Sequence, residues 1–158
     1  MPSEEEIIYE DGHRYVVPPR KRPASDSEYL AVLAQATFQA GFSWEVVRNK
    51  WPNFMKAFRD FDIETVARFS PDDVDRLLKD ASIVRNGRKI EAVIHNAQAM
   101  RRIIAEHGSF YKYLRTLDGL PYEKRRKALE KQFKWLGRTG VFFFLWCVEE
   151  EVPDWDDR

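Results

Sequence analysis

The sequence has one cysteine, three histidines and no long apolar run. A single cysteine, Cys147, excludes an internal disulfide and a structural zinc site built from several cysteines. No apolar stretch approaches the roughly 18 residues of a membrane span, and the N-terminus lacks a basic segment followed by an apolar one. We therefore expect an untargeted, soluble protein that stays in the cytoplasm and enters no membrane.

The common catalytic sets are also missing. His13, His95 and His107 neither cluster nor stand with acids at metal-ligand spacing, which disfavours a zinc enzyme or a histidine base. Glycine patterns of the Walker or dinucleotide type do not occur. Acidic and basic residues balance at 26 each, so net charge does not indicate nucleic acid, although a local basic face can still bind it.

Length and composition indicate one folded domain. A chain of 158 residues with 44% apolar and 14% aromatic residues can bury a core of its own. We predict an N-terminal arm at 1–24, a helical domain at 25–151 and an acidic tail at 152–158.

Apolar periodicity predicts an all-α domain of about eight helices. Alternating apolar residues around Asp11-Gly12 first favour a short hairpin or an extended arm. Apolar residues at spacings of three and four then predict helices. The residues expected to cap them are Ser25, Asp26 or Ser27 for the first helix, followed by Ser43, Asp62, Ser70 and Ser109. Pro52 is expected to open the third helix. These helices are expected at 27–41, 44–50, 52–61, 63–69, 71–79, 89–107, 110–117, 122–132 and 138–150.

The turn in "FKWLGRTG" joins the last two predicted helices. Gly137 allows a tight corner, and Arg138 and Thr139 begin the second helix. Backbone N–H groups at a helix start bind phosphate oxygens, and Lys134 and Arg138 would add positive charge. The alternative is an ordinary corner between two helices.

A second basic turn lies in "IVRNGRKI". Arg85, Arg88 and Lys89 flank Asn86-Gly87 and can contact phosphates in the same way. The alternative is a solvated loop, because charged residues usually lie at surfaces. Two such turns favour nucleic acid as a partner.

Other reactive residues favour structural roles. Cys147 lies in the apolar run "VFFFLWCV" and is expected in the core, and His95 falls on the polar side of the long helix. The acidic end of the chain is expected to be solvated, although Asp154 and Asp156 remain candidate catalytic acids.

Four segments resemble DNA-3-methyladenine glycosylase I, a family of the helix-hairpin-helix superfamily that removes alkylated adenine from DNA. They are "QAGFSWEVVRNKWPNFMKAFRDFD", "VARFSPDDVDRLLKDASIVRNGRKIEAVIHNAQA", "GSFYKYL" and "FKWLGRTGVFFFLW". The resemblance covers about Ser25 to Asp154. It implies a helical fold with a helix-hairpin-helix motif, and a partner in duplex DNA that carries an alkylated base.

The resemblance also implies roles for individual residues. The residue matching Trp44 lines the base pocket in the family, and Tyr9 is the nearest counterpart of a stacking tyrosine from the arm. Ala36 and Phe38, on the helix before Trp44, are expected beside the base. The family hairpin that grips the DNA backbone corresponds to "FKWLGRTG", which adds Trp135 to the residues expected to contact DNA.

Two departures from the family stand out. Ala36 occupies the position of a glutamate that hydrogen-bonds the damaged base in the family, and alanine has no side-chain acceptor. The family joins its termini through a zinc ion held by two cysteines and two histidines, whereas the nearest residues here are Glu10 and Asp154. We therefore expect no metal and no cofactor.

Three functional hypotheses follow. The first is a divergent glycosylase that lacks the family's carboxylate, in which Asp154, Asp156 or water alone completes excision of a base such as 3-methyladenine. The second is a catalytically inactive relative that binds DNA or senses damage. The third is a helical protein whose DNA face serves another partner. We expect a monomer in each case.

Overall fold

Eight α-helices follow a two-stranded hairpin in the computed structural model of the chain, which describes residues 5–8, 14–17, 20–41 and 44–158. For the two strands and Trp44 it describes the backbone alone. The elements are β1 Glu5–Ile8, β2 Arg14–Val17, α1 Asp26–Gln39, α2 Trp44–Ala57, α3 Ile63–Ala67, α4 Pro71–Leu78, α5 Gly87–His107, α6 Phe110–Thr116, α7 Tyr122–Gln132 and α8 Arg138–Cys147. The predicted all-α fold is confirmed.

The N-terminal hairpin is present as predicted. β1 and β2 pair antiparallel, with Glu5 opposite Val17 and Ile8 opposite Arg14. The Asp11-Gly12 pair, predicted to form the turn, lies outside the described residues.

Side-chain caps begin several helices where the sequence predicts them. The capping residues are Ser25 for α1, Asp62 for α3, Ser70 for α4 and Ser109 for α6. At α4 the cap is reciprocal, because the Ser70 hydroxyl accepts from the Asp73 amide at 3.4 Å and the Asp73 carboxylate accepts from the Ser70 amide at 2.8 Å. These caps fix the helix starts from local sequence.

One helix replaces two predicted ones. Pro52 was expected to open a third helix but lies inside α2. A proline inside a helix removes one backbone hydrogen bond and costs about 3 kcal/mol. Packing offsets that cost, because Trp51 stacks on Phe61 with ring centroids 5.2 Å apart and Phe54 packs on Phe38 at 4.6 Å.

The long helix α5 lies at the centre of the fold. It packs against α1, α3, α4 and α6. Its apolar positions Ile90, Val93, Ala97 and Met100 are buried, as their helical spacing predicts. Gly108 ends it with a φ of 92°, which a residue with a Cβ adopts only with strain. α5 therefore carries the residues that hold its neighbours in place.

The segment before α1 lies along the C-terminal end of α8. The Lys21 amide donates to the Cys147 carbonyl at 3.0 Å, and the Arg22 amide donates to the Glu149 carboxylate at 3.1 Å. The Arg20 guanidinium donates to the Glu150 carbonyl at 2.9 Å. Backbone and side-chain bonds thus join residues 20–22 to the end of the last helix.

None of the helices in the described ranges combines the length and the apolar character of a membrane span.

Candidate functional site

A cleft of about 630 Å³ lies between the last turns of α1 and the turn that joins α7 to α8. Ala36 and Ala40 line it from α1. Glu130, Phe133 and residues 135–140 line it from α7, the turn and the start of α8. The cleft therefore adjoins the turn that the sequence predicts to bind phosphate.

The turn leaves the start of α8 without a side-chain cap. Gly137 is the residue before α8 and, as a glycine, gives the first amides of that helix no side-chain cap. The helix's own bonds begin with the Val141 amide, which donates to the Gly137 carbonyl at 2.9 Å. The amides of Arg138 and Thr139 are the kind of donors that bind phosphate oxygens at helix starts.

The tip of this turn carries an exposed indole. Trp135 is 43% exposed and has a φ of 59°, in the left-handed region that side chains with a Cβ adopt at a cost of roughly 1–2 kcal/mol. Strained residues of this kind persist only where the surrounding structure holds them. Trp135 therefore presents an aromatic face at the edge of the cleft.

Asn96 of α5 holds the backbone of the turn. Its side-chain oxygen accepts from the Lys134 amide at 2.8 Å, and its side-chain nitrogen donates to the Lys134 carbonyl at 3.1 Å. Asn96 is only 1% exposed, so both bonds are shielded from water. Asn96 was not among the predicted site residues. Its sequence signal is a polar side chain within the apolar stripe of α5.

Positive charge surrounds the turn. Lys134 and Arg138 are exposed, and the Arg158 guanidinium donates to the Thr139 hydroxyl at 3.2 Å. Burial lowers the pKa of the nearby His95 imidazole, and the charges of Lys134 and Arg102 lower it further. The turn thus combines amide donors with cations, as a phosphate site requires.

The α1 wall is apolar where the sequence predicts base contacts. Ala36 is buried and lines the cleft, but it brings no hydrogen-bonding side chain. Phe38 differs from the prediction, because it is fully buried against Phe54 and Phe58. Its helical position turns the ring into the core, away from the cleft.

Lys89 also differs from its predicted place. It is 3% exposed, and its ammonium donates to the Phe38 carbonyl at 3.2 Å and to the Ala40 carbonyl. Burial lowers the pKa of this amine. Lys89 therefore holds the C-terminal end of α1. A phosphate ligand would lie on the surface, and Lys89 does not, whereas Arg85 and Arg88 are exposed.

The two candidate catalytic acids lie outside the cleft. Asp154 and Asp156 are exposed on the C-terminal segment and are not among the cleft's lining residues. Tyr9 lies outside the described residues, and of Trp44 only the backbone at the first position of α2 is described. The roles predicted for these two aromatic residues stay predictions.

The residues that the structure describes do not fit the zinc ion that the family resemblance implies. No group of three or more histidine, cysteine or acidic residues within the described part of the chain could hold a metal ion. Cys147 is buried, and burial raises the pKa of its thiol, which disfavours the thiolate that zinc requires. Bonds from residues 20–22 to residues 147–150 instead join the two ends of the fold.

A second cleft, of about 370 Å³, lies beside α3 and α4. Its walls include Arg68 and Glu64, an exposed pair 3.5 Å apart. They also include Asp73, whose carboxylate accepts from the Ser70 amide at the start of α4. These charges already have partners within the chain, so the larger cleft beside the α7–α8 turn is the better candidate site.

The methyladenine glycosylase family profile matches residues 20–145. DNA-3-methyladenine glycosylase 1 of Escherichia coli (strain K12) is 32% identical over 143 residues, covering 78% of this chain and 76% of that protein. DNA-3-methyladenine glycosylase of Haemophilus influenzae is 34% identical over 79 residues, covering 49% and 43%.

Solved structures agree with the family match. 3-Methyladenine DNA glycosylase I from Staphylococcus aureus is 29% identical with a TM-score of 0.71, covering 80% of this chain and 78% of that one. A variant of 3-methyladenine DNA glycosylase I in complex with 3-methyladenine is 28% identical with a TM-score of 0.72, covering 84% and 83%. The chain belongs to the methyladenine glycosylase family.

Proposed function

We propose that this protein is a DNA glycosylase that removes 3-methyladenine from duplex DNA. The observation that carries the proposal is the continuity of one cleft with the uncapped start of α8. A single surface thus offers a cavity for a base and amide donors for the adjoining phosphates. The relatives named for this activity cover most of the chain, which supports the same assignment.

The α7–α8 turn binds the DNA backbone in this proposal. A phosphate oxygen accepts hydrogen bonds from the amides of Arg138 and Thr139, and Lys134 adds charge. Asn96 keeps the turn in shape before DNA arrives, so little ordering is needed on binding. Arg85 and Arg88, at the start of α5, extend the basic surface.

The damaged nucleotide leaves the duplex before reaction. An enzyme that acts on the bond between base and sugar needs the base outside the stack, and aromatic faces hold an extruded base. The exposed indole of Trp135 supplies one such face at the cleft. The family resemblance assigns similar contacts to Trp44 and Tyr9.

The chemistry demands little of the protein. Alkylation at N3 gives the purine a positive charge, so the bond from its nitrogen to C1′ of the sugar breaks with the electron pair moving to the base. Water adds to C1′ and loses a proton to solvent, and neutral 3-methyladenine leaves. Stacking and exclusion of water stabilise this charge transfer without a strong general base.

Release of free bases tests the proposal. Duplex DNA treated with a methylating agent is incubated with the protein, and released 3-methyladenine is measured by chromatography against an untreated duplex. We expect release by the wild type and a loss of at least tenfold in Trp44→Ala. Absence of release from the wild type would reject the glycosylase assignment.

Ala36 gives a specific reason to keep a second candidate, a DNA-binding relative without catalysis. Such a protein binds duplex DNA in a salt-sensitive way through the hairpin but releases no base. Binding that disappears in a Lys134→Glu/Arg138→Glu variant, without release by the wild type, would support it. Absence of both activities would favour a scaffold used for another partner.

A further inference from the structure

Glu130 is the only acidic side chain that lines the cleft among the described residues. It lies in the last turn of α7, three residues before the buried Phe133, and shares the cleft with Ala36. Its side chain is 27% exposed, so the carboxylate is partly shielded but still reaches the solvent-filled space. We infer that Glu130 supplies the base-contacting carboxylate that Ala36 cannot provide.

An ion pair orients the Glu130 carboxylate. The Arg126 guanidinium, one turn earlier on α7, donates to one carboxylate oxygen at 2.8 Å, and its side chain is only 11% exposed. A carboxylate has about four acceptor sites, so this contact leaves others for a ligand. Arg126 thus holds the group in one rotamer without using up its hydrogen-bonding capacity.

The carboxylate gives the cleft a chemical preference. A cationic alkylated purine is attracted to it, and an exocyclic amino group donates a hydrogen bond to it. A site built to accept from an amino group rejects a base in which a carbonyl replaces that group, because two acceptors then face each other. Glu130 is thus the residue that selects 3-methyladenine over a 6-oxo purine, and this role rests on the proposed function.

The sequence alone does not single out Glu130. It lies in "YEKRRKALEKQ", where acidic residues alternate with lysines and arginines, a pattern typical of a solvated helix face. Its place becomes visible only when the turn after α7 brings that end of the helix beside Ala36. A carboxylate that the family carries on α1 is replaced by one from α7.

Two variants with a matched control test the inference. Glu130→Gln keeps the shape but removes the charge, and Glu123→Gln breaks the equivalent pair on the same helix, where Glu123 and Lys127 are exposed and 3.0 Å apart. Ala36→Glu/Glu130→Gln restores a carboxylate from α1. Each protein is assayed for release of 3-methyladenine and, separately, for binding of free 3-methyladenine and 3-methylhypoxanthine by tryptophan fluorescence.

We expect Glu130→Gln to lower release about 10- to 100-fold, the loss of one charge-assisted hydrogen bond. Glu123→Gln should stay within twofold of the wild type, and the double variant should recover most activity. The preference for 3-methyladenine over 3-methylhypoxanthine should fall in Glu130→Gln alone, because its amide also donates to a carbonyl. Loss of structural integrity would not produce that change in preference.

The outcomes separate the two proposals. Release by the wild type with an unchanged rate and preference in Glu130→Gln overturns the role of Glu130 and leaves the glycosylase assignment intact. No release by the wild type rejects the glycosylase assignment. The binding of free 3-methyladenine and 3-methylhypoxanthine then tests by itself whether Glu130 contacts the base. If Glu130→Gln does not fold, Glu130→Asn replaces it, with the same expected loss of preference, because its amide is also uncharged and also donates to a carbonyl.

Discussion

The starts of α5 and α8 look alike in sequence and differ in the structure. Both are basic turns that contain glycine and precede a helix. At α5 the Asn86 side chain accepts from the Lys89 amide at 3.2 Å, and the Lys89 ammonium is buried on carbonyls of α1. At α8 the residue before the helix, Gly137, provides no side-chain cap, and Arg138 is exposed beside the cleft.

The difference teaches which groups are available to a ligand. A helix start whose amides already have an internal acceptor holds the fold, whereas one that lacks a cap retains donors for phosphate. We therefore assign a mainly structural role to the α5 turn and a binding role to the α8 turn. Each prediction below tests one side of that contrast.

The largest effect is expected at Lys89. In Lys89→Met the carbonyls of Phe38 and Ala40 lose a donor, which should lower the free energy of unfolding by about 2–4 kcal/mol. The neighbouring, exposed Arg88→Met should change it by about 0.5 kcal/mol or less. Urea denaturation measures both, and equal losses would show that Lys89 does not anchor α1.

Asn96→Ala should weaken the α8 turn. Two buried hydrogen bonds to Lys134 are lost, so we expect about 2–3 kcal/mol less stability. Gln98→Ala, which removes one bond to the Ala67 carbonyl at 3.1 Å, is the control on the same helix and should lose about 1 kcal/mol. At a temperature where both variants are folded, only Asn96→Ala should lose duplex binding.

Charge reversal should separate the two turns in DNA binding. Arg138→Glu should lower affinity for a duplex at least tenfold and reduce the slope of log affinity against log salt by about 1. Arg85→Glu should have a smaller effect, because the Asn86 side chain already occupies one of the first amides of α5. Fluorescence anisotropy across a salt series measures both, and a larger loss in Arg85→Glu would reverse the assignment.

Gly137→Asn transfers the cap of α5 to α8. The backbone at Gly137 has a φ of −91°, and an added Cβ meets no atom within 4 Å, so the side chain fits. We expect a gain of a few tenths of a kcal/mol in stability. Duplex affinity should fall several-fold, since the new acceptor occupies an amide; unchanged affinity would mean that these amides do not bind DNA.

The smallest effect concerns pH. Burial, helped by Lys134 and Arg102, lowers the pKa of His95 below its usual 6.5, so the folded state favours the neutral ring. Unfolding takes up a proton once the pH falls below 6.5, and stability is lost as the pH continues down through the folded pKa. Thermal unfolding between pH 7.5 and 5 should show a shallower decline in His95→Gln than in the wild type.

Local signals predict most of the fold. Asp62, Ser70 and Ser109 cap the helices that they were expected to cap, and Ser25 is the cap among the three candidates before α1, because a cap depends on two or three neighbouring residues. Pro52 misled the prediction, because its local preference for a helix start is outweighed by aromatic packing of Trp51 and Phe54 from distant parts of the chain.

The site is less predictable than the fold. The sequence indicates the hairpin and, through the family resemblance, the missing carboxylate at Ala36. Lys89 and Glu130 are both charged residues in charged surroundings, and nothing in their neighbours separates the buried lysine from a solvated one or the cleft glutamate from an exposed one. Their places depend on how α1, α5 and α7 pack, which no local pattern encodes.

α8 connects the turn that lines the cleft with the segment that precedes α1. Its first residues form the uncapped turn, and its last residues hold the segment that precedes α1. Ten residues at 1.5 Å each give a rod of about 15 Å. The spacing between the α7–α8 turn and residues 20–22 is therefore set by the length of one stiff helix, so a single inserted residue would shift that spacing and rotate one attachment by about 100° relative to the other.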